Sequence, residues 1–372
     1  MRRRVAVLMG GRSSEHEISL ASAQSVLEGL DPERYEVVTI EIGRDGRWTI
    51  PPGELGSGHV PKSLSAELEA SPAKPATPGL KPGAPAAPPG TVPETNRPQL
   101  PVPATSGEVS ATLGEVEVVL PILHGPFGED GRLQGVLEMA GVPYVGADHA
   151  ASALCMDKDL FKAVMRDQGI PVTRNITLRD GAPPENPFGY PVFVKPARLG
   201  SSVGISKAHD DEELRAAVEL AFSHDEKVLV EEFVPGVEVE VGVLGNRKPV
   251  ASLVGEIVVT RNEWYDYSAK YDEGEMDLIV PARITPEHAG RVQELAVQAF
   301  VATECEGMAR VDCFVREDGM VLVNELNTIP GFTVTSVYAK LFEASGVPYP
   351  ELLERLIELA LERHERRSQL KY

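Results

Sequence analysis

Continuous apolar runs alternate with predicted helices in the first part of the chain. Residues 5–9 are apolar throughout, and residues 116–123 are apolar except for Glu117, which is typical of strands buried in a parallel sheet. Helices are expected near residues 15–30 and 132–140, directly after these runs. This order predicts an open α/β domain, in which ligands bind beyond the carboxyl ends of the strands.

The rest of the chain indicates two further units. Residues 191–196 and 205–207 are predicted strands joined by a Gly-Ser loop, and residues 227–234 form another strand. From residue 236 apolar and polar positions alternate cleanly, and helices are expected at 210–222, 293–303 and 350–366. We therefore predict an α/β and α+β protein with domains at 1–148, 149–235 and 236–372.

Residues 307–331 predict a β-hairpin around Asp318-Gly319. This dipeptide favours a two-residue type I′ turn, because both of its central positions require positive φ. In that register Glu317 faces Met320, and a symmetric four-residue loop leads to the same pairing further out.

Counting outwards sets Asp312 opposite Glu325 and Arg310 opposite Asn327, with all four side chains on one face. Facing carboxylates repel each other unless a cation lies between them. Two carboxylates and an amide suit Mg²⁺, which also binds substrate phosphates. The alternative is a solvent-facing hairpin with scattered acids.

Loops at strand ends hold further candidates. The loop at residues 10–14 lacks the third glycine of a dinucleotide fingerprint, and there is no Gly-Lys-Ser/Thr. Glu15 starts the next helix, where the dipole favours a carboxylate, so it is either a functional acid or a cap. His124 lies at the ligand-binding edge and is either functional or structural. Lys158 and Lys195 belong to the same predicted unit as the Gly-Ser loop, whose amides can fold over phosphates; the alternative is solvated lysines.

Two long segments differ from the rest in composition. Residues 51–106 contain 14 of the 31 prolines and no aromatic residue, which predicts a mobile surface insertion. Binding of a partner to its polyproline stretches is the alternative. Residues 261–280 concentrate tryptophan and tyrosine, which favours an ordered lid.

Composition limits the class of protein. At 372 residues and 42% hydrophobic content the chain can bury a large core, and its net charge of −20 argues against nucleic acid and anionic membranes as partners. No apolar run approaches the ~18 residues of a membrane span, and the N-terminal run is too short for a signal peptide. Three cysteines without metal-ligand spacing fit free thiols in a reducing compartment. A cytoplasmic protein is expected.

Six motifs in order resemble those of D-alanine-D-alanine ligases, a family of the ATP-grasp superfamily. The resemblance covers the chain except residues 51–106. The motifs are Gly10-Gly11-x-Ser-x-Glu15, His124-Gly-x-x-Gly-Glu-Asp-Gly131, Met156-Asp-Lys158, Val194-Lys195-Pro196 with Gly200-Ser201-Ser202, Tyr265-Asp-Tyr-x-x-Lys270-Tyr271 and Glu325-x-Asn-Thr-x-Pro-Gly331.

This resemblance implies a three-domain ATP-grasp fold with an N-terminal Rossmann-like domain. It also implies ATP and two Mg²⁺ ions, for which Mn²⁺ can substitute, and a homodimer. By position, the implied metal ligands are Asp312, Glu325 and Asn327. The implied ATP-binding residues are Lys158, Lys195, Ser202, Glu231, Glu232 and Glu238; Glu232 stands where some relatives have lysine.

The implied reaction has two steps. The carboxylate of one D-alanine attacks the γ-phosphate of ATP, and the amine of a second D-alanine then displaces phosphate from the acyl phosphate. The resemblance makes Arg310 and the amide of Gly331 oxyanion donors, and it makes Glu15 with Ser201 and Tyr271 the anchor of the first substrate. Lys270 and Ser336 are implied near the second substrate and the γ-phosphate, and His124 near both substrates.

Tyr271 is the feature that implies a dipeptide-forming enzyme, because D-lactate-using relatives typically have a histidine in this lid. A D-alanine-D-lactate or D-alanine-D-serine ligase is the enzyme alternative. A nucleotide-binding regulator that has lost turnover is the alternative from another class.

Overall fold

The computed structural model describes residues 2–50, 112–179, 181–201, 203–259 and 276–371. The insertion predicted at 51–106 lies outside the described residues, and so does most of the aromatic loop at 261–280. Three candidate site residues also lie outside them: Ser202, Lys270 and Tyr271.

The first sheet has the order β3-β2-β1-β4, and β1 pairs in parallel with both β2 and β4. Helices α1 and α2 pack on its opposite faces, because odd-numbered residues of β1 face one side and even-numbered residues the other. The predicted open α/β unit is confirmed. Its elements are β1 (Arg3–Gly10), α1 (His16–Gly29), β2 (Tyr35–Ile42), β3 (Trp48–Thr49), β4 (Val118–Pro121) and α2 (Arg132–Met139).

The second sheet is antiparallel, with the order β5-β8-β6-β7. Asp157 and Asp210 begin helices α4 and α5 by accepting hydrogen bonds from backbone amides of the first turn. The elements are α3 (His149–Met156), α4 (Lys158–Asp167), β5 (Asn175–Arg179), β6 (Val192–Pro196), β7 (Ser206–Ala208), α5 (Asp211–Phe222) and β8 (Lys227–Glu232).

The third sheet is also antiparallel, with the order β11-β10-β9-β12-β13. Its helix α6 begins at Pro286 rather than near residue 293, because Thr285 caps it and Pro286 fits the first turn. The elements are β9 (Val237–Gly245), β10 (Val250–Val259), β11 (Met276–Ile279), α6 (Pro286–Ala302), β12 (Gly307–Val315), β13 (Val321–Asn327), α7 (Val337–Ala344) and α8 (Tyr349–Ser368).

The hairpin of β12 and β13 has the predicted pairing at the end far from its turn, but the turn itself differs from the prediction. Arg310 lies opposite Asn327 and Asp312 opposite Glu325, as predicted. The two-residue turn is wrong, because the amide of Arg316 bonds to Met320, and Gly319 alone has positive φ, at 82°. This is a three-residue loop.

A β-bulge restores the register. The pairing shifts by one residue between Asp312 and Cys313, which leaves Asn324 as the extra residue of β13. Val323 and Leu326 still face the core, while Asn324 and Glu325 both line a cleft. The bulge therefore points two consecutive polar side chains to the same side.

The hydrophobic cores cross the predicted domain limits. Side chains of α8 pack with β1 and α1 in one cluster, and side chains of α3 and α4 pack with the third sheet and α6 in another. The limits at residues 149 and 236 stay a prediction. Among the described helices, none has the length and apolar character needed to cross a membrane.

Candidate active site

A cleft of about 450 Å³ lies between the second and third sheets. One wall carries Lys195 and is called the lysine wall. The opposite wall carries Asp312 and Glu325 and is called the acid wall. Eight of the candidate residues line the cleft, namely Lys158, Lys195, Ser201, Glu231, Glu232, Glu238, Asp312 and Glu325.

The lysine wall is built around Glu231, which is 1% exposed. Its Oε1 accepts a hydrogen bond from Lys195 at 2.7 Å, and its Oε2 accepts one from Lys162 at 2.5 Å. Burial alone would raise the pKa of Glu231, but the two ammonium groups lower it to about 2. Burial likewise opposes the charge of Lys195, yet Glu231 raises the pKa of Lys195 on balance. Both groups are therefore charged at neutral pH.

Lys158 links the lysine wall to the acids. It is the first residue of α4, and its Nζ donates to the carbonyl oxygen of Leu199 in the Gly-Ser loop at 2.7 Å. The same Nζ lies 3.4 Å from Glu325 Oε2. The loop, the lysine and the hairpin acid therefore converge at one end of the cleft.

The acid wall contains a cation of its own. Arg310 donates two hydrogen bonds of 2.7 Å to Asp312, and its Nε lies 2.9 Å from Glu240. Asn327 Nδ2 donates to Asp312 at 3.1 Å. The repulsion expected between facing acids is therefore relieved here by Arg310 and Lys158.

The donor set at this wall suits a hard divalent ion. Two carboxylates and one amide oxygen, from Asp312, Glu325 and Asn327, lie on one face of the hairpin. Among the described residues, no group of three or more His, Cys, Asp or Glu side chains could hold a metal by itself. An ion at this wall would therefore need further oxygen ligands.

Two further acids at the cleft differ in their surroundings. The carboxylate of Glu232 accepts hydrogen bonds from the amide and the Nε of Arg174, at 2.8 and 2.7 Å. Glu238 is the second residue of β9 and lines the same cleft. Both carboxylate oxygens of Glu232 are therefore engaged by Arg174.

A second group of candidate residues lies where the Gly-Ser loop meets the first sheet. Glu15 precedes α1, and its side chain makes no capping hydrogen bond. It accepts a hydrogen bond from Ser201 Oγ instead. Ser201 has a φ of 50°, a conformation that is uncommon for non-glycine residues and that clusters at functional sites. The interpretation of Glu15 as a cap is therefore wrong.

Gly125 brings the next loop close to Glu15. Gly125 has a φ of 70°, and a Cβ atom there would lie 2.4 Å from Glu15 Oε2, so a side chain at this position would be strained and would displace the Glu15 carboxylate. His124 is buried beside it; its Nδ1 donates to the carbonyl oxygen of Ile329 at 3.0 Å, and its Nε2 lies 3.1 Å from Ser22 Oγ. Burial lowers the pKa of His124, so the ring is neutral.

Gly331 and Ser336 are neighbours in the segment after β13. A side chain added at Gly331 would contact Ser336 Oγ at 3.2 Å. Ser336 precedes α7, and its Oγ accepts a hydrogen bond from the amide of Thr333 at 3.0 Å. The Ile329 carbonyl that binds His124 belongs to this same segment.

Three charged residues of the site were missed at the sequence level. Lys162 follows Lys158 by one helical turn, and Glu240 follows Glu238 on the same face of β9, so the spacing puts both beside predicted site residues but does not show that they are buried. Glu129 belongs to the His124 motif; burial and the nearby Glu15 raise its pKa to about 8. Charged side chains this deeply buried are usual at functional sites.

Comparison with known proteins identifies the family. Residues 4–147 match the family model described as the D-ala D-ala ligase N-terminus, and residues 164–358 match that of the D-ala D-ala ligase C-terminus. The chain is 44% identical to D-alanine–D-alanine ligase A of Escherichia coli (strain K12), over 99% of this chain and 98% of that protein.

Two solved structures resemble the whole chain. The D-Ala:D-Ser ligase VanG from Enterococcus faecalis is 34% identical with a TM-score of 0.76, over 97% of this chain and 100% of that one. The D-alanine–D-alanine ligase from Bacillus anthracis complexed with ATP is 26% identical with a TM-score of 0.72, over 99% of each chain. The mixed α/β and α+β architecture is thus the ATP-grasp fold that the motifs implied. The chain belongs to the D-ala D-ala ligase family.

Proposed function

We propose that this protein joins two D-alanine molecules into D-alanyl-D-alanine at the expense of ATP, for the synthesis of peptidoglycan precursors and the cell wall. The observation that carries the proposal is the 44% identity to a D-alanine–D-alanine ligase along 99% of the chain. The lysine and acid walls of the cleft support it, because phosphoryl transfer depends on positioning and on neutralising phosphate charge.

In this proposal ATP lies in the cleft between the second and third sheets. Lys158 and Lys195 hold its phosphates, Ser202 and the Gly-Ser loop cover them, and Glu231 and Glu238 contact the adenosine. We assign Glu232 only a backbone contact, because its carboxylate is held by Arg174.

We assign two Mg²⁺ ions to Asp312, Glu325 and Asn327, with Mn²⁺ as a substitute. When bound, the ions neutralise the phosphate charge that builds up during transfer. Arg310 holds Asp312 and Lys158 holds Glu325 beside the cleft, which supports this assignment.

We assign the ammonium of the first D-alanine to Glu15, and we assign Ser201 and Tyr271 to the same anchor. The carboxylate oxygen of this D-alanine bonds to the γ-phosphorus while the bond to the β–γ bridging oxygen breaks, which yields an acyl phosphate and ADP. In the second step the amine of the other D-alanine attacks the acyl carbon, the bond to phosphate breaks, and the amine releases a proton.

Arg310 and the amide of Gly331 stabilise the oxyanions of both steps, and such donors each contribute about 3 kcal/mol or more. Lys270 and Ser336 bind the carboxylate of the second D-alanine. His124, neutral and fixed by Ile329, shapes the pocket between the substrates.

We also propose a cytoplasmic homodimer. The three cysteines are buried and free, as suits a reducing compartment. Val136 and Met139 lie one turn apart on α2 with 37% and 93% exposure, and we assign the subunit contact to this side of α2. Light scattering after gel filtration tests the assembly, and a monomeric mass at all concentrations would contradict it.

Mass detection of the product formed from D-alanine, ATP and Mg²⁺ tests the function directly. We expect D-alanyl-D-alanine with one ADP per dipeptide, and parallel reactions with D-lactate and D-serine across pH define the second substrate. Phosphate release that requires D-lactate or D-serine, without dipeptide, would overturn the substrate assignment. ATP binding without amino-acid-dependent ADP formation would indicate a regulator instead.

A further inference from the structure

A buried lysine lies directly behind the lysine wall of the cleft. Lys162 is 1% exposed and is not among the residues that line the cleft. Its Nζ donates hydrogen bonds to Thr173 Oγ1 and to Glu231 Oε2. Lys162 therefore does not reach a nucleotide in the cleft, but it contacts Glu231, which lines the cleft.

Glu231 is shared between two cations. Lys162 holds one carboxylate oxygen and Lys195 holds the other, at 2.5 and 2.7 Å. The charged groups that face Lys162 are Glu231, Lys195 and, more distantly, Glu325. The local sum of the two lysines and Glu231 is one positive charge, in a wall that accepts phosphates in the proposed function.

The second cation changes what Lys195 can do. With Lys195 as its only partner, Glu231 would form a closed ion pair, and moving Lys195 onto a phosphate would leave a buried carboxylate without compensation. Such an unpaired buried charge is strongly unfavourable. With Lys162 in place, Glu231 keeps a partner while Lys195 turns to the ligand.

We propose that Lys162 is a positioning residue for ATP: it anchors Glu231 and so releases Lys195 to bind the phosphates. This inference rests on the proposed function, because it takes the cleft as the ATP site. It adds a residue behind the site, one that acts entirely through Glu231.

Binding of a non-hydrolysable ATP analogue with Mg²⁺, measured by calorimetry, tests the role. We expect Lys162→Met to weaken binding roughly tenfold or more, because Lys195 is then locked to Glu231. The KM for D-alanine should stay within about twofold, since no substrate group depends on Lys162. Unchanged analogue affinity would overturn the inference.

Arg363→Met is the matched control for loss of a buried cation. Arg363 is 4% exposed and donates to the carbonyl oxygens of Gly146 and Tyr144, away from the cleft. Its replacement should lower the melting temperature and leave analogue affinity unchanged. Equal weakening in both variants would reduce Lys162 to a general stabilising role and overturn the inference.

A double-variant cycle tests whether Lys162 acts through Glu231. In a Glu231→Gln background no carboxylate remains to be released, so adding Lys162→Met should change affinity by less than about twofold. A further tenfold loss there would contradict the mechanism. If Lys162→Met does not fold, Lys162→Gln, which keeps a donor for Thr173, takes its place in the same measurements.

The wild-type protein separates the two proposals. If it neither binds the analogue nor forms dipeptide, the proposed function fails. If it does both and the Lys162 variants bind equally well, only the present inference fails.

Discussion

Arg310 is the residue on which the acid wall depends. It lies between Asp312 on its own strand and Glu240 on β9, and Glu240 is fully buried. The three charged side chains hold one another in a fixed arrangement, because their hydrogen bonds are stronger in the buried interior than they would be in water. Glu325 lies beyond it, closer to solvent and paired with Lys158.

Replacing Glu325 tests the metal assignment. We expect Glu325→Gln to lower ATP turnover at least about tenfold and to shift the Mg²⁺ requirement upwards, because one anionic ligand is lost. Stability should change by only about 1 kcal/mol, since the ion pair is long at 3.4 Å and Lys158 keeps its hydrogen bond to the Leu199 carbonyl. Mg²⁺ titrations of phosphate release, set beside melting temperatures, measure both effects.

Glu317→Gln is the control, because it removes the same charge from an exposed position of the same hairpin. It should leave both quantities unchanged. Parallel losses of stability and turnover in Glu325→Gln would count against the metal role.

Glu129 should make stability depend on pH. Its pKa is about 8 when folded, against an ordinary value of 4.5, because burial and Glu15 disfavour the carboxylate. Between these values the unfolded chain ionises and the folded one does not, so stability falls as pH rises from about 5 to 8. At about 1.4 kcal/mol per pKa unit, the loss amounts to a few kcal/mol.

Glu129→Gln removes this loss and keeps an acceptor for the amide of Gly125. Its melting temperature should therefore exceed that of the wild type by an amount that grows from pH 5 to pH 8. Calorimetric scans at several pH values measure the difference. A gap that is constant with pH would contradict the assignment.

The chemical role of a residue could be predicted where a motif or a spacing indicates it. It could not be predicted where it depends on burial. The hairpin acids follow from strand alternation and pairing. Lys162 and Glu240 look like ordinary charged residues in sequence, because nothing local shows that their surroundings exclude water. Glu232 depends on Arg174, a residue 58 positions away, so its ion pair could not be foreseen.

At the scale of elements, the hairpin combines a wrong turn prediction with the right pairing. The real loop has three residues rather than two, which shifts the pairing by one at Arg316 and Met320. The bulge at Asn324 shifts it back before Asp312 and Glu325. Bulges leave little trace in a hydrophobic pattern. The predicted pairing was right because the shift from the longer loop and the shift from the bulge cancelled.

Gly319→Ala probes the turn separately from the site. Gly319 has a φ of 82°, and an added Cβ would lie 2.8 Å from His288 Nε2. We expect a loss of about 1–2 kcal/mol in the free energy of unfolding. The kcat and the KM values for ATP and D-alanine should be retained, because the bulge separates the turn from the site. A fall in kcat without loss of stability would contradict this separation.

At the scale of the whole molecule, the last helix completes the first sheet. Leu352 and Leu356 of α8 are buried with Val5 and Val7 of β1 in one cluster. The Ser201 contact with Glu15 and the backbone bond from Val323 to Pro171 join the sheets at other points. Periodicity predicted each element, but it carries no information on which distant faces meet.

Leu352→Ala tests this long-range packing. The side chain is fully buried, so we expect a loss of about 2–5 kcal/mol and faster hydrogen exchange in β1, more than 300 residues away in sequence. Leu370→Ala, at a position 59% exposed, is the control and should do neither. Faster exchange confined to α8 would contradict the coupling.

The position of α8 also bears on how the protein is made. The odd-numbered face of β1 is covered partly by α1, which follows it directly, and partly by α8, which is synthesised more than 300 residues later. A nascent chain that stops before residue 349 therefore keeps part of that face open to chaperones and proteases. Truncation before residue 349 should yield degraded rather than partly active polypeptide.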